Sequence, residues 1–448
     1  MPEIRLSEVL GALTYALDLA EGQAAGHALR SCLVGMELAE RSGLDAEQRS
    51  ALYYALLLKD VGCSSNAART AALLAADDQA AKRAHKLTDW TRRPERLRWA
   101  ARVVARGEPP RERARRLAVL ARRADTNREL IRLRCVRGAQ IAADLGFPAA
   151  TAAAIHALDE HWDGSGHPDG RRGDAIPLLA RIACLAQTAE IYDAARGAGA
   201  GVAVAQRRRG RWFDPELVAL LDAETLRAPP SEPAALAEAV GAHEPGERVV
   251  LADEARVSRI AHAFAEVIDA KSPATAGHSH RVAALAGAAA ERLGLASDRD
   301  LLRAALLHDI GKLALSNRIL DKPGPLTARE WQAVRAHPLH TEELLRQIAP
   351  LRRVAAVAAA HHERLDGSGY PHGLGSDELS LPARVLAVAD VYEALTAARP
   401  YRAAATHADA VTVLRHEARA GRLDGDCVAA LAEFASDPQH EHGAPSVG

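Results

Sequence analysis

The 448-residue sequence has few aromatic side chains, almost no net charge and no long apolar run. Phe, Trp and Tyr make up only 4%, and alanine-rich runs take their place, which favours closely packed helices because alanine is the best helix former. Lys and Arg total 57 against 58 for Asp and Glu, so no global field points to nucleic acid or to an anionic membrane. No stretch reaches the roughly 18 apolar residues needed to span a bilayer. The sequence predicts an all-α protein with no membrane partner.

Cysteine is also scarce, and the five residues are widely separated: Cys32, Cys63, Cys135, Cys184 and Cys427. No C-x-x-C pair occurs, so neither a disulfide framework nor a thiolate zinc site is indicated. The N-terminus carries acidic residues and no basic start, unlike a signal peptide. Together these features predict a cytoplasmic protein.

The chain repeats itself at a distance of about two hundred residues. DEHWDGSGHPDG at 159–170 resembles HERLDGSGYPHG at 362–373, an offset of 203. Further upstream, Leu57-Leu-Lys-Asp-Val-Gly62 echoes Leu306-Leu-His-Asp-Ile-Gly311. Such a long period indicates the tandem duplication of a whole domain. The predicted division is a first copy at 1–226, a proline-rich linker at 227–249, a second copy at 250–436 and a flexible tail at 437–448.

The first copy carries a basic insertion near 64–130. Asp60 and Arg134 lie 74 residues apart, whereas Asp309 and His337, at the corresponding positions, lie 28 apart. Residues 82–137 contain nineteen Lys/Arg and six Asp/Glu, a net charge of +13. An arm that binds anions or nucleic acid is one interpretation. The simpler one, which we prefer, is an arginine-coated helical hairpin with solvated charges, so nucleic acid is not expected as a partner.

In the second copy, polar side chains end several apolar helical runs. The run 301–307 ends at His308 and Asp309, and the run 355–360 ends at His361 and His362. A buried His or Asp without a partner is costly, so these groups are expected to satisfy one another through metal ions. The expected metal ligands are His278, His308, Asp309, His337, His361, His362 and Asp390. Five imidazoles and two carboxylates suit Fe, Mn or Zn, and their number fits two ions bridged by one carboxylate.

These motifs resemble those of the HD-GYP family, the bacterial phosphodiesterase branch of the HD superfamily. The matching residues are Ala276-Gly-His278, His308-Asp-Ile-Gly-Lys312, His337-Pro338, His361-His-Glu363, Asp366-Gly-Ser-Gly-Tyr-Pro371, Asp390 and Arg399-Pro-Tyr-Arg402. The resemblance implies two tandem HD-type helical bundles and two divalent transition metal ions, iron or manganese. It also implies hydrolysis of the signalling nucleotide cyclic di-GMP to pGpG, or further to GMP.

The resemblance assigns each ligand to an ion. His278, His308, Asp309 and Asp390 would hold one ion, and Asp309, His337, His361 and His362 the other, with Asp309 as the bridge. Some family members hold a third ion through a glutamate whose place is taken here by Ala274, so two ions are expected. His340 and Thr341 also depart from the small residue and glycine that are usual there, which leaves the pocket shape open.

Catalytic and substrate-binding residues are expected beside the ions. Asp309 and Lys312 are the expected catalytic residues. Asp309 would bridge the metal ions, which activate water and stabilise the charge on the phosphoryl group. Lys312 lies one helical turn after His308 and can reach the phosphate that the ions hold. The expected substrate-binding residues are Lys312, Asp366, Gly369, Tyr370, Pro371, Arg399 and Arg402. The two arginines suit a second phosphate or a guanine edge, with a surface salt bridge as the alternative.

The first copy keeps only two of the seven ligand types, His27 and Asp60. The other five positions hold Lys59, Arg134, Leu158, Asp159 and Gln187, while Cys63 and His167 replace Lys312 and Tyr370. Lys59 and Arg134 predict a metal-free pocket in which salt bridges to the carboxylates replace coordination. A residual metal site at His156, His161 and His167 is the alternative.

The expected roles of the first copy are dimerisation, ligand sensing or support of the second copy, so a homodimer or a signalling protein is an expected partner. Two other functions compete with the phosphodiesterase. One is a non-catalytic scaffold that binds a cyclic dinucleotide, which the intact ligand set of the second copy disfavours. The other is an HD phosphohydrolase that acts on a different nucleotide, which the Gly-Tyr-Pro loop disfavours.

Overall fold

The structure is a computed structural model that describes residues 4–122, 126–295, 298–398 and 403–435. Within these ranges the chain consists of α-helices and short 3-10 helices, with one antiparallel strand pair, Ile4–Arg5 (β1) and Leu251–Ala252 (β2). The prediction of an all-α fold is therefore confirmed. No helix in these ranges is both long enough and apolar enough to cross a bilayer.

The chain divides into two compact units. The first comprises Met1–Arg259 and Ser316–Arg318, and the second comprises Ile260–Leu315 and Ile319–Gly448. Part of the predicted linker 227–249 is a helix, Pro233–Ala242, whose Leu236 and Val240 are buried in the first unit. The predicted tail at 437–448 lies outside the described residues.

The helices of the first unit begin with α1. They are Leu6–Ala20 (α1), His27–Arg41 (α2), Ala46–Leu58 (α3), Ala67–Leu74 (α4), Asp78–Lys86 (α5), Arg93–Val103 (α6), Pro110–Arg122 (α7), Thr126–Asp144 (α8), Ala149–His156 (α9), Leu178–Arg196 (α10), Ala200–Arg208 (α11), Pro215–Leu220 (α12) and Pro233–Ala242 (α13). Short 3-10 helices lie at Cys63–Asn66, Gly173–Ala175 and Gly246–Arg248. Helix α3 begins at a capping box in which Asp45 and Gln48 satisfy each other's backbone amides.

The division between the units falls inside the next helix. The further helices are Glu254–Asp269 (α14), His278–Arg292 (α15), Arg299–Leu307 (α16), Asn317–Leu320 (α17), Ala328–Arg335 (α18), His337–Arg346 (α19), Arg352–Ala359 (α20), Leu381–Thr396 (α21), His407–Arg419 (α22) and Gly425–Ala435 (α23). The 3-10 helices are Pro273–Thr275, Ile310–Ala314, Ala349–Leu351 and Ala360–His362. Thr327 with Glu330 forms a capping box for α18, and Ser380 caps α21.

The same packing surrounds the core of each unit. In the first unit α2 packs against α3 and α10, and in the second α15 packs against α16 and α21. The core-facing helix α21 is apolar nearly all round, and Val385, Leu386 and Val388 are buried. A polar side chain on such a helix lies inside the bundle, which is where Asp390 is found.

The basic insertion forms helices α4 to α7 with a small apolar cluster of its own. Leu74, Ala81 and Val104 are buried there, and Trp99 packs against them. Helices α6 and α7 bury no residue completely, and arginines such as Arg98 and Arg102 are exposed. The insertion is thus helical, and the arginines of α6 lie at the surface, as solvated charges would.

Candidate metal centre

The first expected ligand, His278, stands at the start of α15. Gly277, which precedes it, has φ 69°, a left-handed conformation that glycine adopts without strain. Asp269 holds this helix start by accepting from the Ser279 amide at 3.0 Å and from its hydroxyl at 2.7 Å. The His278 ring is consequently buried in the bundle.

The next two ligands lie in a tight turn after α16. His308 and Asp309 end the apolar run of that helix, and the chain continues as the 3-10 helix Ile310–Ala314. A Cβ atom on Gly311 would collide with the carbonyl oxygen of His337. Because this position is glycine, the turn lies directly against the start of α19 and brings Asp309 next to His337.

One group of ligand atoms collects around Asp309 Oδ2. His278 Nε2 and His308 Nε2 are 3.2 Å apart, and they lie 3.5 and 3.4 Å from Asp309 Oδ2. Asp390 Oδ1 is 3.4 Å from His278 Nε2. His278, His308 and Asp390, all buried, form a set whose ligand atoms lie within 4.8 Å of one another.

A second group collects around the other oxygen of the same carboxylate. His337 Nε2 and His361 Nε2 are 3.1 Å apart, and they lie 3.3 and 3.7 Å from Asp309 Oδ1. The ring of His362 is 4.0 Å from that of His361, centroid to centroid, and its Nδ1 is 3.9 Å from Asp390 Oδ2. The structure therefore brings all seven expected ligands together, with Asp309 between the two groups.

The electrostatics of these groups fit bound cations. Burial lowers the pKa of His337 and of His361, so both rings are neutral and offer a lone pair. His308, His337 and His361 each place Nδ1 against a backbone carbonyl, so that their Nε2 atoms face inward. Converging lone pairs repel unless a cation lies between them. Asp309 Oδ1, buried and without a hydrogen-bond partner among the described residues, points to the same requirement.

The carboxylates of the centre stay ionised although they are buried. Burial alone would raise the pKa of Asp309, but His308 and Lys312 hold it well below its usual range. Burial would also raise the pKa of Asp390, but the hydrogen bond from His278, together with the interactions with His308 and His362, holds it well below its usual range. Both side chains are therefore anionic at neutral pH and available to a metal ion.

Lys312 lies at the edge of the centre. Its Nζ is 2.5 Å from Asp309 Oδ2, and its side chain is 24% exposed. The expected position one turn after His308 is thus found, with the ammonium group on the carboxylate. The expected Arg399 and Arg402 lie outside the described residues.

The loop 366–371 contributes an aromatic ring to the centre. The Tyr370 ring lies 4.7 Å from the His362 ring and under the guanidinium of Arg335. A Cβ atom on Gly369 would collide with the backbone of Glu363, and Pro371 follows Tyr370 in the same loop. Asp366 is exposed and accepts from the Ser368 amide and hydroxyl, so its carboxylate shapes the turn and does not face the ligand groups.

Sequence reasoning missed the role of a buried glutamate that holds this loop. Glu363 accepts from the backbone amides of His372, Gly373 and Leu374. In the first unit Glu160 accepts from the amides of Asp169, Gly170 and Arg171 in the same way. The two glutamates are 203 residues apart, so the repeat itself was the signal that could have found them.

The corresponding place in the first unit contains an ammonium group. Lys59 Nζ lies 3.0 Å from His27 Nε2 and makes a short ion pair with Asp60. Lys86 Nζ lies 3.1 Å from the other oxygen of Asp60, and Arg134 pairs with Asp159. The salt bridges expected from Lys59 and Arg134 are therefore present. Burial and the nearby Lys59 lower the pKa of His27 to about 4, so this ring is neutral and accepts from the lysine.

Other potential ligands of the first unit have different partners. Glu21, Asp60 and Cys63 lie close together, but Lys82 Nζ is 3.0 Å and Lys86 Nζ 3.2 Å from the Glu21 oxygens. His161 stacks on Trp212 at 4.0 Å, and His156 is 3.2 Å from Asp169. Within the described residues, His156, His161 and His167 do not form a group that could hold a metal ion.

Comparison with known proteins agrees with this arrangement. A sequence profile of the HD domain family matches residues 69–217 and 262–427, one segment in each unit. The helical fold, the profile match in each unit and the His308-Asp309 turn define the chain as an HD domain protein. It belongs to the HD-GYP branch of that family, so the resemblance stated above is confirmed.

Three relatives place the chain within the family. It is 42% identical over 433 residues to the 3'3'-cGAMP-specific phosphodiesterase 3 of Vibrio cholerae, covering 95% of this chain and 94% of the relative. It is 43% identical over 173 residues to the cyclic di-GMP phosphodiesterase response regulator RpfG of Xanthomonas campestris, covering 38% and 45%. A crystal structure of the cyclic GMP-AMP-specific phosphodiesterase V-cGAP3 of Vibrio cholerae superposes with a TM-score of 0.64 at 35% identity, covering 98% of this chain and 99% of that one.

Proposed function

We propose that the protein is a metal-dependent phosphodiesterase that hydrolyses cyclic dinucleotides in bacterial signal transduction. The observation that carries this proposal is the convergence of imidazole Nε2 atoms on the two oxygens of one buried carboxylate, Asp309. That arrangement suits two divalent ions with a shared ligand, the form of site that supports displacement at phosphorus.

Each ion has its own set of proposed ligands. The first ion would be held by His278, His308, Asp309 and Asp390. The second would be held by Asp309, His337, His361 and His362. The orphaned Asp309 Oδ1 and the facing Nε2 atoms support this assignment, and imidazole with carboxylate suits iron or manganese.

The bound ions would polarise the phosphoryl group and lower the pKa of a water molecule. The side chains of the protein hold the ions and orient the substrate. Asp309 fixes the spacing of the two ligand groups, and Lys312 offers a point charge to the scissile phosphate once the ions engage Asp309. Tyr370, over the ring of His362, forms a wall of the pocket, with Gly369 and Pro371 holding its loop. Arg399 and Arg402 remain proposed contacts to the second phosphate.

The relatives favour two substrates. The relative matched over nearly the whole chain is specific for 3'3'-cGAMP, which makes this nucleotide the first candidate. Cyclic di-GMP, the substrate expected from the sequence motifs, is the second candidate because phosphodiesterases of that name match about a third of the chain. The predicted product is a linear dinucleotide, with further cleavage to mononucleotides as a second step.

The first unit is proposed to be non-catalytic. Its Lys59 ammonium lies against the two surviving ligand types, His27 and Asp60, and leaves no place for an ion. Dimerisation, binding of a signalling protein or support of the second unit remain its proposed roles. The five cysteines are buried and unpaired, which supports the proposed cytoplasmic location.

The test is metal analysis and turnover of the full-length protein, purified without oxygen. We expect about two transition metal ions per chain and hydrolysis of 3'3'-cGAMP, cyclic di-GMP or both with Mn²⁺ or Fe²⁺. His308→Ala and Asp309→Ala are expected to abolish turnover, whereas Lys59→Ala leaves the metal content unchanged. Metal-loaded protein that binds but does not hydrolyse these nucleotides would instead be the signalling scaffold, and turnover of other nucleotides only would reassign the substrate.

A further inference from the structure

Most imidazoles of the centre are oriented by neutral backbone groups. Nδ1 of each of three rings donates to a carbonyl oxygen three residues earlier in the chain. The pairs are His308 with Ala305 at 2.8 Å, His337 with Val334 at 2.5 Å and His361 with Ala358 at 2.6 Å. These contacts fix the tautomer without adding charge.

His278 is oriented by a carboxylate. Its Nδ1 lies 2.5 Å from Glu393 Oε2, and the Glu393 side chain is only 2% exposed. The other oxygen of Glu393 accepts from Arg281 Nε at 2.9 Å and Nη2 at 2.5 Å. A carboxylate behind a metal-binding imidazole increases the basicity of the ring and fixes the direction of its free nitrogen.

The first unit repeats this contact without the metal ligands. His27 Nδ1 makes a short hydrogen bond with Glu190, and Arg30 Nε lies 2.6 Å from the other Glu190 oxygen. Here the free Nε2 of the imidazole faces the Lys59 ammonium. The glutamate therefore directs the ring at the Lys59 ammonium in the first unit and at the proposed ion position in the second.

This contact adds to a difference in negative charge between the two ligand groups of the second unit. The group of His278 and His308 has Asp390 as a further carboxylate, and Glu393 adds a second anionic side chain behind it. The group of His337, His361 and His362 contains only imidazoles besides the shared Asp309. Because a cation is attracted more strongly to the more anionic group, the first position should bind the same ion more tightly.

We propose that Glu393 is a positioning residue which, through His278, makes the ion position of His278, His308 and Asp390 the tighter of the two. This inference rests on the proposed function, since it presupposes that both positions take a metal ion. Arg281 holds the carboxylate against His278, so loss of either side chain weakens this ion position and spares the other. For Arg281 the loss of orientation is partly offset by the loss of a nearby positive charge, which makes its effect the smaller of the two.

The test is equilibrium dialysis of chelator-stripped full-length protein against Mn²⁺, with bound metal counted per chain. Wild type is expected to show two classes of binding with different affinities. In Glu393→Gln the tighter class should weaken about 10- to 100-fold, the usual cost of losing such a partner, while the weaker class is unchanged. Arg281→Met, whose side chain is half-exposed in wild type, should weaken the same class by a smaller factor and serves if Glu393→Gln does not fold.

The matched control is Glu190→Gln, the same substitution at the same contact in the first unit. It should leave both classes of Mn²⁺ binding at their wild-type affinities. Unchanged binding in folded Glu393→Gln and Arg281→Met, or equal weakening of both classes, would overturn the inference and leave the proposed function intact. A wild-type protein that binds no Mn²⁺ would overturn the proposed function, and the inference with it.

Discussion

A single hydroxyl group ties together two segments that carry metal ligands. Thr341 Oγ1 donates to the carbonyl oxygen of His308 at 2.9 Å and accepts from the Gly311 amide at 3.1 Å. Thr341 stands where the family usually has glycine, and for that reason the sequence alone did not predict the shape of the pocket. The structure shows that the threonine fits against the turn and satisfies two buried backbone groups.

We expect Thr341→Val to destabilise the second unit, because it leaves both backbone groups unpaired in a buried site. The expected loss is about 1–3 kcal/mol in the free energy of unfolding, measured with urea on protein saturated with Mn²⁺. Thr341→Ser keeps the hydroxyl and is the control, with a smaller loss. Equal stabilities for the valine and serine variants would show that the hydroxyl contributes nothing.

A buried aspartate in the first unit makes stability depend on pH. Asp18 is fully buried, accepts from the Ala28 amide through Oδ1, and has no hydrogen-bond partner for Oδ2 among the described residues. Burial raises its pKa to about 8. A carboxyl group with a raised pKa stabilises the folded state fully below the pKa of the unfolded chain, about 3.9, and this stability is lost as the pH rises toward 8.

Asp18→Asn should remove that dependence, because the amide is neutral at every pH and keeps an oxygen for the Ala28 amide. The free energy of unfolding of the variant, relative to wild type, should rise between pH 5 and pH 9 and then level off. Urea denaturation at several pH values measures this difference. A difference that stays constant over this range would mean that Asp18 is ionised in the folded protein throughout.

At the scale of residues, the sequence identified the polar side chains that interrupt apolar runs. It missed the side chains that contact and orient those ligands and their loop. His308 and Asp309 stand out because polar groups at the end of a buried helix need partners. Glu363 and Glu393 lie one step further from the centre, and their contacts to backbone amides and to His278 depend on tertiary packing. Only the repeat, which places Glu160 and Glu190 at the same offset, could have identified them.

At the scale of elements, a glycine sets how closely two segments approach. Gly311 lies against His337 at the start of α19, and Gly62 lies against the backbone of Arg134 and Gly138 in α8 of the first unit. In each unit an added Cβ atom would collide with backbone, which cannot move aside as a flexible side chain can. The repeated glycine keeps Asp309 close to the second ligand group.

Gly311→Ala should therefore separate the turn from α19 and lower both the metal content and the activity. Gly62→Ala should destabilise the first unit and leave the metal content unchanged, since no metal ligand depends on that turn. Gly324→Ala, with open space around the position, is the control. Metal analysis together with thermal unfolding separates the three outcomes, and a fully metal-loaded Gly311→Ala protein would contradict this account of the turn.

The sequence predicted these elements well where capping residues and apolar runs mark their ends. Thr327 with Glu330 and Ser380 at the start of α21 are such signals. Helix α13 was missed because three prolines nearby indicated a linker. Pro233 stands in the first turn of that helix, where its missing N–H costs nothing, so the proline starts the helix and does not interrupt it.

At the scale of the whole molecule, two units matched by the same family profile surround their buried carboxylates with different partners. In the second unit the carboxylates of Asp309 and Asp390 lie among imidazoles that fit metal ions. In the first unit Lys59 and Lys86 surround Asp60 and hold its pKa well below its usual range, against the effect of burial. A lysine is part of the chain, whereas a metal ion must be bound from solution. The stability of the second unit alone should therefore depend on the metal concentration.

That difference can be measured by differential scanning calorimetry. Mn²⁺ added to chelator-stripped protein should stabilise one thermal transition by about 2.7 kcal/mol for each ion present at a hundred times its dissociation constant, and should leave the other transition in place. Asp309→Ala should abolish the stabilisation, because it removes the ligand shared by both ions. Lys59→Ala should lower the other transition, because it leaves Asp60 with fewer buried partners, while the shift caused by Mn²⁺ remains. If Mn²⁺ instead raised the temperature of the transition that Lys59→Ala lowers, the first unit would bind metal. The proposal that lysines take the place of metal ions in that unit would then be wrong.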